Sequence, residues 1–405
     1  MKQLKNLFGA LLLIALPMVL TGCEELFGEW DKPTPTGPTP TPTPTLTPTT
    51  GINYVAYTAS GATATPTAKT LEDGTYTVVT NELTDFTADK PYVVNSDVTI
   101  TGDINIKGNT DLLLCDGKTL TVNGRIKDDF ASYTLSSLNI YGQTNGSGKL
   151  VIKHSGGGAT TSPLTANEIN IHGGDINVKT TNIYEYAIYA SEMNIFSGKL
   201  KAEGPRSGIT VQENLYIYTG TVEATSPSYG ILNLSSSGGM YFYGGNITAK
   251  GGPNYAAICS DYDNASITIS GGTVTAIGED ATDPSSGGHG IFVRGPISIT
   301  GGDVTAKGGN GNGTGNGGSG IYVKYKGYTL DFTAGKLMAT GGIKGGGSDS
   351  NAHGKGVYNY IKNNNASIVY YDTYDGTSWT TNAGGINSGD KLGTSSLRGV
   401  RLNVP

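Results

Sequence analysis

Two pairs of tyrosines are the clearest candidates for ligand chemistry in this sequence. Tyr216 and Tyr218 are separated by one residue, as are Tyr241 and Tyr243, and the second pair follows the first by 25 residues. Residues two apart in a β-strand point to the same side, so each pair would present two rings to one face. An aromatic ring packs against the apolar C–H face of a sugar, and a phenol hydroxyl can hydrogen bond to sugar hydroxyls. The pattern favours a carbohydrate-binding surface if the two pairs lie on neighbouring strands.

Acidic side chains form a second set of candidates, at two places in the chain. Asp261 and Asp263 come first, and Glu279, Asp280 and Asp283 follow in a polar stretch. A Ca²⁺ ion needs several oxygens converging at about 2.4 Å. Either group could bind Ca²⁺ together with backbone carbonyls, and the alternative is that these are solvated acids in turns. The two groups leave opposite ends of one predicted strand, so we do not expect them to form a single site.

A catalytic site is less favoured by the sequence. A polysaccharide lyase needs an Arg or Lys base beside calcium-bound acids, and a glycoside hydrolase needs two carboxylates at a fixed separation. Arg294 and Lys324 occupy equivalent repeat positions, but no column of acids is predicted beside them. The four histidines are scattered, and no Ser/His/Asp set is visible. We predict no catalytic residues, and a calcium-dependent lyase is the minority alternative.

The elements that position these residues come from a ten-residue unit that occurs seven times. Its most regular copy is ITISGGTVTA at 267–276, and the copies begin at residues 169, 193, 215, 240, 267, 297 and 330. Apolar residues occupy the first, third, eighth and tenth places, and glycine is sixth in every copy. Two apolar residues two apart, a turn, and two more indicate a strand, a corner and a second strand. The spacing of 22 to 33 residues between copies is typical of a solenoid.

A third strand closes each turn of the predicted solenoid. After each unit comes a variable stretch and then a small residue followed by an apolar one, as in Gly230-Ile231 and Gly320-Ile321. We therefore predict an all-β fold, a right-handed parallel β-helix with three strands per rung and about ten rungs. The hand follows from the crossover rule for parallel strands. The sixth-place glycine would lie where the chain turns with a positive φ.

The register of a β-helix makes the outward side chains form columns. Position two of the unit reads Asn139, Asn170 and Asn194 before it reaches tyrosine. The predicted carbohydrate-binding residues on the two outward columns are Tyr141, Phe196, Tyr216, Tyr218, Tyr241 and Tyr243. Two alternatives remain, because the rings could serve only cross-strand stacking or be covered by the N-terminal segment. The asparagines could equally form a hydrogen-bonded ladder that stabilises the sheet.

The N-terminus carries the features of a bacterial lipoprotein. Two lysines precede an apolar run from Leu7 to Leu20, which is typical of a signal peptide over residues 1–22. The run ends in Leu-Thr-Gly-Cys, which resembles the lipobox and implies cleavage before Cys23 and diacylation of its thiol. Cleavage would change the net charge from −6 to −8, because it removes two lysines and no acids. A mildly acidic protein outside the cytoplasm is not expected to bind nucleic acid.

The remainder of the chain divides by composition. Residues 23–50 contain alternating Pro and Thr, which favours an extended tether. We predict an N-terminal cap over 51–97, the β-helix over 98–360 and a C-terminal cap over 361–405, because the repeat is missing from both flanks. The expected location is the bacterial cell envelope, held by the lipid and exposed at the surface, and we expect a monomer.

One stretch carries a resemblance to a known family. The run YVVNSDVTITGDINIKGNTDLLLCDGKTLTVNGRI, then LNIYGQTNGSGKLVI and the ITISGGTVTA-type units, resembles the bacterial carbohydrate-binding β-helix domain family over roughly residues 90–360. The resemblance implies a pectate-lyase-like fold and binding of cellulose-like or pectic polymers with bound Ca²⁺, without established catalysis. The chain differs from the family in the bulky residues that follow Ile188, Ile291 and Ile321. A non-catalytic polysaccharide-binding lipoprotein is the resulting expectation, with an adhesin that binds other proteins as the alternative.

Overall fold

The computed structural model describes the part of the chain that follows the predicted tether. The described residues are 51–128, 136–156, 162–325, 327–346, 353–363, 371–374, 378–382, 391–393 and 397–402. The predicted signal peptide, Cys23 and the tether lie outside the described residues. Every element of regular secondary structure in the described part of the chain is a β-strand. The described residues form no helix that is long and apolar enough to cross a membrane.

The second strands of the repeats form one parallel sheet, here called the second sheet. Its parallel strands are Val98–Thr101, Thr119–Asn123, Lys149–His154, Asp175–Thr180, Lys199–Glu203, Thr221–Ser226, Asn246–Gly251, Thr273–Gly278, Asp303–Lys307 and Lys336–Thr340. Equivalent positions of successive turns are paired, as Val222 is with Ile247 and Ala224 with Ala249. The apolar residues of one turn therefore lie directly above those of the next.

The first and third strands form the other two faces of the coil, the first and third sheets. The separate first strands are Thr77–Val78, Tyr92–Val94, Asn109–Leu114, Ser137–Gly142, Gly239–Phe242, Ser266–Ile269, Ile297–Ile299, Leu330–Phe332 and Tyr360–Asn363. The separate third strands are Asp85–Thr87, Ile104–Lys107, Ile126–Asp128, Tyr229–Asn233, Ala256–Ser260, His289–Val293, Ile321–Val323 and Val357–Tyr358. In Leu164–Ile171, Tyr186–Ile195 and Ser207–Ile217, one long strand supplies the third strand of a turn and the first strand of the next. The predicted right-handed parallel β-helix is confirmed.

Alternation along each strand places the core inside the coil. In the first strand Leu215–Ile217 both apolar side chains are fully buried, and Tyr216 between them faces outward. The sixth-place glycines have φ between 74° and 93° in all seven copies. At Gly220 a Cβ atom would lie 2.6 Å from the carbonyl oxygen of Gly198 in the turn before. Both the backbone conformation and the packing of turns therefore require glycine at this corner.

The N-terminal end of the coil is flanked by an antiparallel hairpin. Its strands are Ile52–Ser60 and Thr63–Leu71, paired along their whole length. Parallel pairing begins directly after it, where Thr77–Val78 pairs with Tyr92–Val94, upstream of Val98. The hairpin thus belongs to a different sheet from the coil that follows it.

The C-terminal end is closed by antiparallel strands. Gly399–Leu402 pairs with the last parallel strand of the second sheet, Lys336–Thr340. Tyr371–Tyr374 pairs with Gly399–Leu402, and Trp379–Asn382 pairs with Tyr371–Tyr374. Lys391–Gly393 pairs with Tyr360–Asn363 in the first sheet. An open parallel edge would be a template for another chain, and these strands occupy it.

Candidate functional site

The two predicted tyrosine pairs lie on neighbouring turns of the first sheet. Tyr216 is in register with Tyr241, and their ring centroids lie 5.0 Å apart with planes 14° from parallel. The centroids of Tyr218 and Tyr243 are 5.2 Å apart with planes at 41°. Within each turn the two rings are 6.5 Å and 6.3 Å apart. The tyrosine block, as we call these four residues, is therefore a two-by-two array of rings.

The rings of the tyrosine block overlap one another. Centroids 5.0 Å apart with nearly parallel planes define an offset stack. Each inner face is partly covered by the ring of the adjacent turn. Tyr216, Tyr241 and Tyr243 remain partly accessible, whereas Tyr218 exposes only 7% of its surface. A ligand can therefore reach the ring edges, the hydroxyl groups and the faces at the end of the stack.

The stacked rings of the tyrosine block end on their C-terminal side, where the next turn carries short side chains. We call this boundary the step. The next turn places Thr268 in register with Tyr241, and Ser270 follows two residues later, at the position equivalent to Tyr243. These side chains are too short to cover the rings above them. The step therefore combines aromatic faces with a floor of hydroxyl groups, which is the combination that a sugar ring requires on its apolar face and its edge.

The phenol groups of Tyr216, Tyr218 and Tyr243 are held in their protonated form. Burial, followed by the charges of neighbouring groups, raises the pKa of Tyr218 to about 12. Burial likewise raises the pKa of Tyr216 and Tyr243, and the Glu192 carboxylate adds to the effect at Tyr216. These hydroxyls can therefore donate hydrogen bonds at any physiological pH.

The upstream part of the predicted aromatic column lies beneath the N-terminal hairpin. Tyr54 contacts the ring of Tyr141 edge-on, with centroids 5.0 Å apart. Tyr57 stacks over Phe196 at 6.1 Å, and its backbone N–H donates to Nδ1 of His172 at 2.9 Å. Phe196 consequently exposes only 6% of its surface. The N-terminal segment packs on this part of the column, as one of the alternatives anticipated. Tyr141 keeps an intermediate exposure there, as do Tyr216, Tyr241 and Tyr243 of the tyrosine block.

The asparagine column is a hydrogen-bonded ladder. Nδ2 of Asn139 donates to Asp111 at 2.8 Å, Nδ2 of Asn170 to Asn139 at 2.9 Å, and Nδ2 of Asn194 to Asn170 at 3.0 Å. The three amide nitrogens and the amide oxygens of Asn139 and Asn170 are thus already engaged in the sheet. The ladder stabilises the stacking of turns beside the aromatic column.

The predicted calcium residues are separated into two places. Asp261 and Asp263 lie beside Arg294, whose side chain is 2.9 Å from an oxygen of Asp261 and 4.0 Å from an oxygen of Asp263. Asp280 accepts two hydrogen bonds from Asn310, at 2.7 Å and 3.1 Å. The other predicted ligands, Glu279 and Asp283, lie in the same loop as Asp280.

No convergent ligand set is formed by these acids. Among the described residues, no three His, Cys, Asp or Glu side chains lie close enough together to hold a metal ion. Any Ca²⁺ bound by Asp261 and Asp263 would also have to tolerate the positive charge of Arg294 beside it. A calcium site here would therefore depend heavily on backbone carbonyls.

The sequence predicted no column of acids beside Arg294, but a carboxylate of the preceding turn does pair with it. Ser260 pairs with Val293, so the residues that follow them, Asp261 and Arg294, come to lie one turn apart. Burial opposes the charge of Arg294, but the Asp261 carboxylate and Tyr325 outweigh it and raise the pKa of the guanidinium. The side chain is thereby held as a cation.

Two residues that contact the aromatic column, Tyr54 and Tyr57, could not be predicted from the repeat. They lie in the hairpin, which has no repeat register, so their contacts with the column could not be read from position numbers. The sequence feature that pointed to these contacts was the concentration of apolar and aromatic residues at 52–57, which indicated that this strand packs against another part of the protein.

Comparisons with known proteins return no match. No protein family, no curated protein and no solved structure matches the chain. The fold and the surface therefore define the class, which is a parallel β-helix with an outward aromatic array.

Proposed function

We propose that this protein binds polysaccharide without cleaving it, through the tyrosine block and the step of Thr268 and Ser270 beside it. The observation that carries the proposal is the partly accessible pair Tyr241 and Tyr243 at the end of a stack, next to short hydroxyl side chains. A contiguous patch of large apolar rings on a protein surface commonly marks a site that a partner covers.

The proposed mode of binding follows from the columns. A sugar ring packs its C–H face on Tyr241 or Tyr243, and its equatorial hydroxyls meet the phenols and the floor of the step. The spacing of turns, about 4.8 Å, is close to the length of one sugar unit, so further units of a cellulose-like or pectic chain can follow the direction of the coil. Bound Ca²⁺ at the Asp261–Asp263 corner is part of the proposal as an auxiliary site.

The proposed location is the bacterial cell surface. The lipid on Cys23 would hold the protein in a membrane, and the Pro/Thr-rich residues that follow would extend at about 3.1 Å per residue. That distance would place the β-helix tens of ångströms from the bilayer, where a polysaccharide outside the cell can reach it.

The experiment that tests this function is a depletion assay on insoluble glycans. The mature chain, with Cys23→Ser to avoid lipidation, is mixed with cellulose, pectin and xylan, each with and without a calcium chelator. We expect retention on at least one glycan and no new product absorbing in the ultraviolet. Absence of retention on every glycan would overturn the proposal in favour of an adhesin, and an unsaturated product would favour a lyase.

A further inference from the structure

A second stack of rings lies on the third sheet, outside the tyrosine block. The centroids of Phe292 and Tyr322 are 5.4 Å apart with planes 8° from parallel. Those of Tyr322 and Tyr358 are 4.4 Å apart at 10°, and His289 lies 4.9 Å from Tyr322. Tyr358 is the last ring of the stack and exposes 40% of its surface. The rings form the floor of a concave surface, here called the third-sheet cleft.

Loops that stack from turn to turn form the wall of the third-sheet cleft. The backbone N–H of Ser286 donates to Oδ1 of Asn254 at 3.1 Å, and that of Asn316 donates to Oγ of Ser286 at 3.1 Å. A Cβ atom on Gly317 would lie only 2.1 Å from the carbonyl oxygen of Gly342. Glycine thus lets these loops pack in tight layers, and the wall is fixed before any ligand arrives.

His289 contributes a defined hydrogen-bond donor to the cleft. Its Nδ1 accepts the backbone N–H of Ser319 at 2.8 Å. Burial lowers the pKa of His289 to about 4, so the ring is neutral at physiological pH. Because Nδ1 is an acceptor, the proton of the neutral ring is on Nε2.

The charge of the third-sheet cleft is opposite to that of the chain. The described residues that line it come from the third sheet and from the loops beside it, with Lys324 and Lys355 among them. They include two lysines and no carboxylate, although the whole chain carries a net charge of −6. A positive cleft in an acidic protein selects for an anionic ligand.

We propose that the third-sheet cleft is a second binding site, which takes a saccharide that carries an anionic group, either a carboxylate or a sulfate. The sugar ring packs on the exposed face of Tyr358, and the anion lies between Lys324 and Lys355. The sugar hydroxyls meet the polar wall and the Nε2–H of His289. This site lies on a different sheet from the tyrosine block and does not depend on the function proposed for the block.

The test is calorimetric titration of the mature Cys23→Ser chain with two anionic probes. One is an oligogalacturonate and the other a sulfated galactan oligosaccharide, each compared with its neutral counterpart, the methyl ester or the desulfated sugar. We expect at least one anionic probe to bind about ten-fold or more tightly than its neutral counterpart, and less tightly at high salt because exposed charges are screened. Which probe binds distinguishes carboxylate from sulfate, and binding of neither overturns the proposal.

Matched variants locate the site. Lys324→Gln with Lys355→Gln is expected to weaken anionic binding by about ten-fold or more. The control pair, Lys250→Gln with Lys307→Gln, removes two exposed lysines from the second sheet and should leave affinity unchanged. Equal effects of the two pairs would contradict the proposal, because the interaction would then be one of general charge.

A second pair of variants tests the aromatic floor. Tyr358→Ala is expected to lower affinity about five-fold or more, whereas Tyr360→Ala, an exposed ring in the first sheet, should not. Alanine variants of Tyr241 and Tyr243 should bind the anionic probe like the wild type. Loss of anionic binding in those variants would place the anionic ligand on the tyrosine block and contradict the proposal of a second site. This outcome does not depend on how the block binds neutral glycan.

Discussion

At the scale of single residues, glycine at the sixth place of the unit sets where each turn bends. Gly220 has a φ of 87° and lies against the backbone of Gly198. A side chain there meets two penalties at once, the left-handed conformation and a contact with a carbonyl oxygen that cannot move aside. The tyrosines two and four residues earlier in the chain keep their register only while this corner is intact.

We expect Gly220→Ala to destabilise the protein by about 2–4 kcal/mol, since strain at a positive φ and a backbone clash act together. The free energy of unfolding from urea titration followed by circular dichroism measures the effect. Gly327→Ala is the control, because a Cβ atom at Gly327 meets nothing within 4 Å. Its expected cost is below about 0.5 kcal/mol, and a similar cost for both variants would refute the role given to the corner.

His172 makes the stability of the hairpin contact depend on pH. Burial and then the nearby charge of Lys69 lower its pKa to about 4, from an ordinary value of 6.5. The neutral ring accepts the N–H of Tyr57, so this contribution is fully present above pH 6.5 and is lost as the pH falls through about 4. Its size is at most about 3 kcal/mol.

The variant His172→Phe isolates this contribution. It keeps a ring in the stack but cannot take a proton, so we expect its free energy of unfolding to fall less steeply than that of the wild type between about pH 7 and pH 4. Urea titrations of both proteins at several pH values measure the two slopes, and the carboxylates common to both cancel in the comparison. Parallel curves would show that His172 does not titrate in this way.

At the scale of elements, the N-terminal hairpin divides the aromatic column into a covered and an open part. Ile52–Ser60 lays Tyr54 and Tyr57 over the upstream rings. The covered rings contribute to holding the hairpin, and the open ones remain partly accessible. The hairpin also directly follows the predicted tether, so the element that would join the proposed lipid anchor to the coil is fixed by aromatic contacts.

We expect Tyr57→Ala to loosen the hairpin without unfolding the coil, because the variant removes the ring that stacks on Phe196. Hydrogen exchange of the amides in Ile52–Ser60 and Thr63–Leu71 should accelerate about ten-fold or more, while exchange in the second sheet stays unchanged. Thr58→Ala changes the adjacent exposed side chain and serves as the control. Unchanged exchange in the Tyr57 variant would mean that the hairpin is held elsewhere.

At the scale of the whole molecule, the repeat made most of the fold predictable. The β-helix, its three strands per turn and the pairing of Tyr216 with Tyr241 all follow from a vertical register, in which equivalent positions meet. Ring orientation could not be derived that way, because a side-chain torsion decides whether neighbouring rings stack or lie flat. The contact of Tyr57 with Phe196 joins segments that share no repeat position. The ion pair of Arg294 with Asp261 lies at a corner where the repeat pattern ends.

The most direct test of the central claim, that the open end of the tyrosine block holds a polysaccharide, is a binding isotherm of two matched double variants on a neutral glycan that retains the wild type. Tyr241→Ala with Tyr243→Ala removes the rings of the step, whereas Tyr184→Ala with Tyr360→Ala removes two exposed tyrosines elsewhere. Loss of two stacking contacts should cost about 1–3 kcal/mol, which raises the dissociation constant about 5- to 150-fold. We predict that increase for the first pair and wild-type affinity for the second. Wild-type affinity in the Tyr241 and Tyr243 variant, with its circular dichroism spectrum unchanged, would contradict the account.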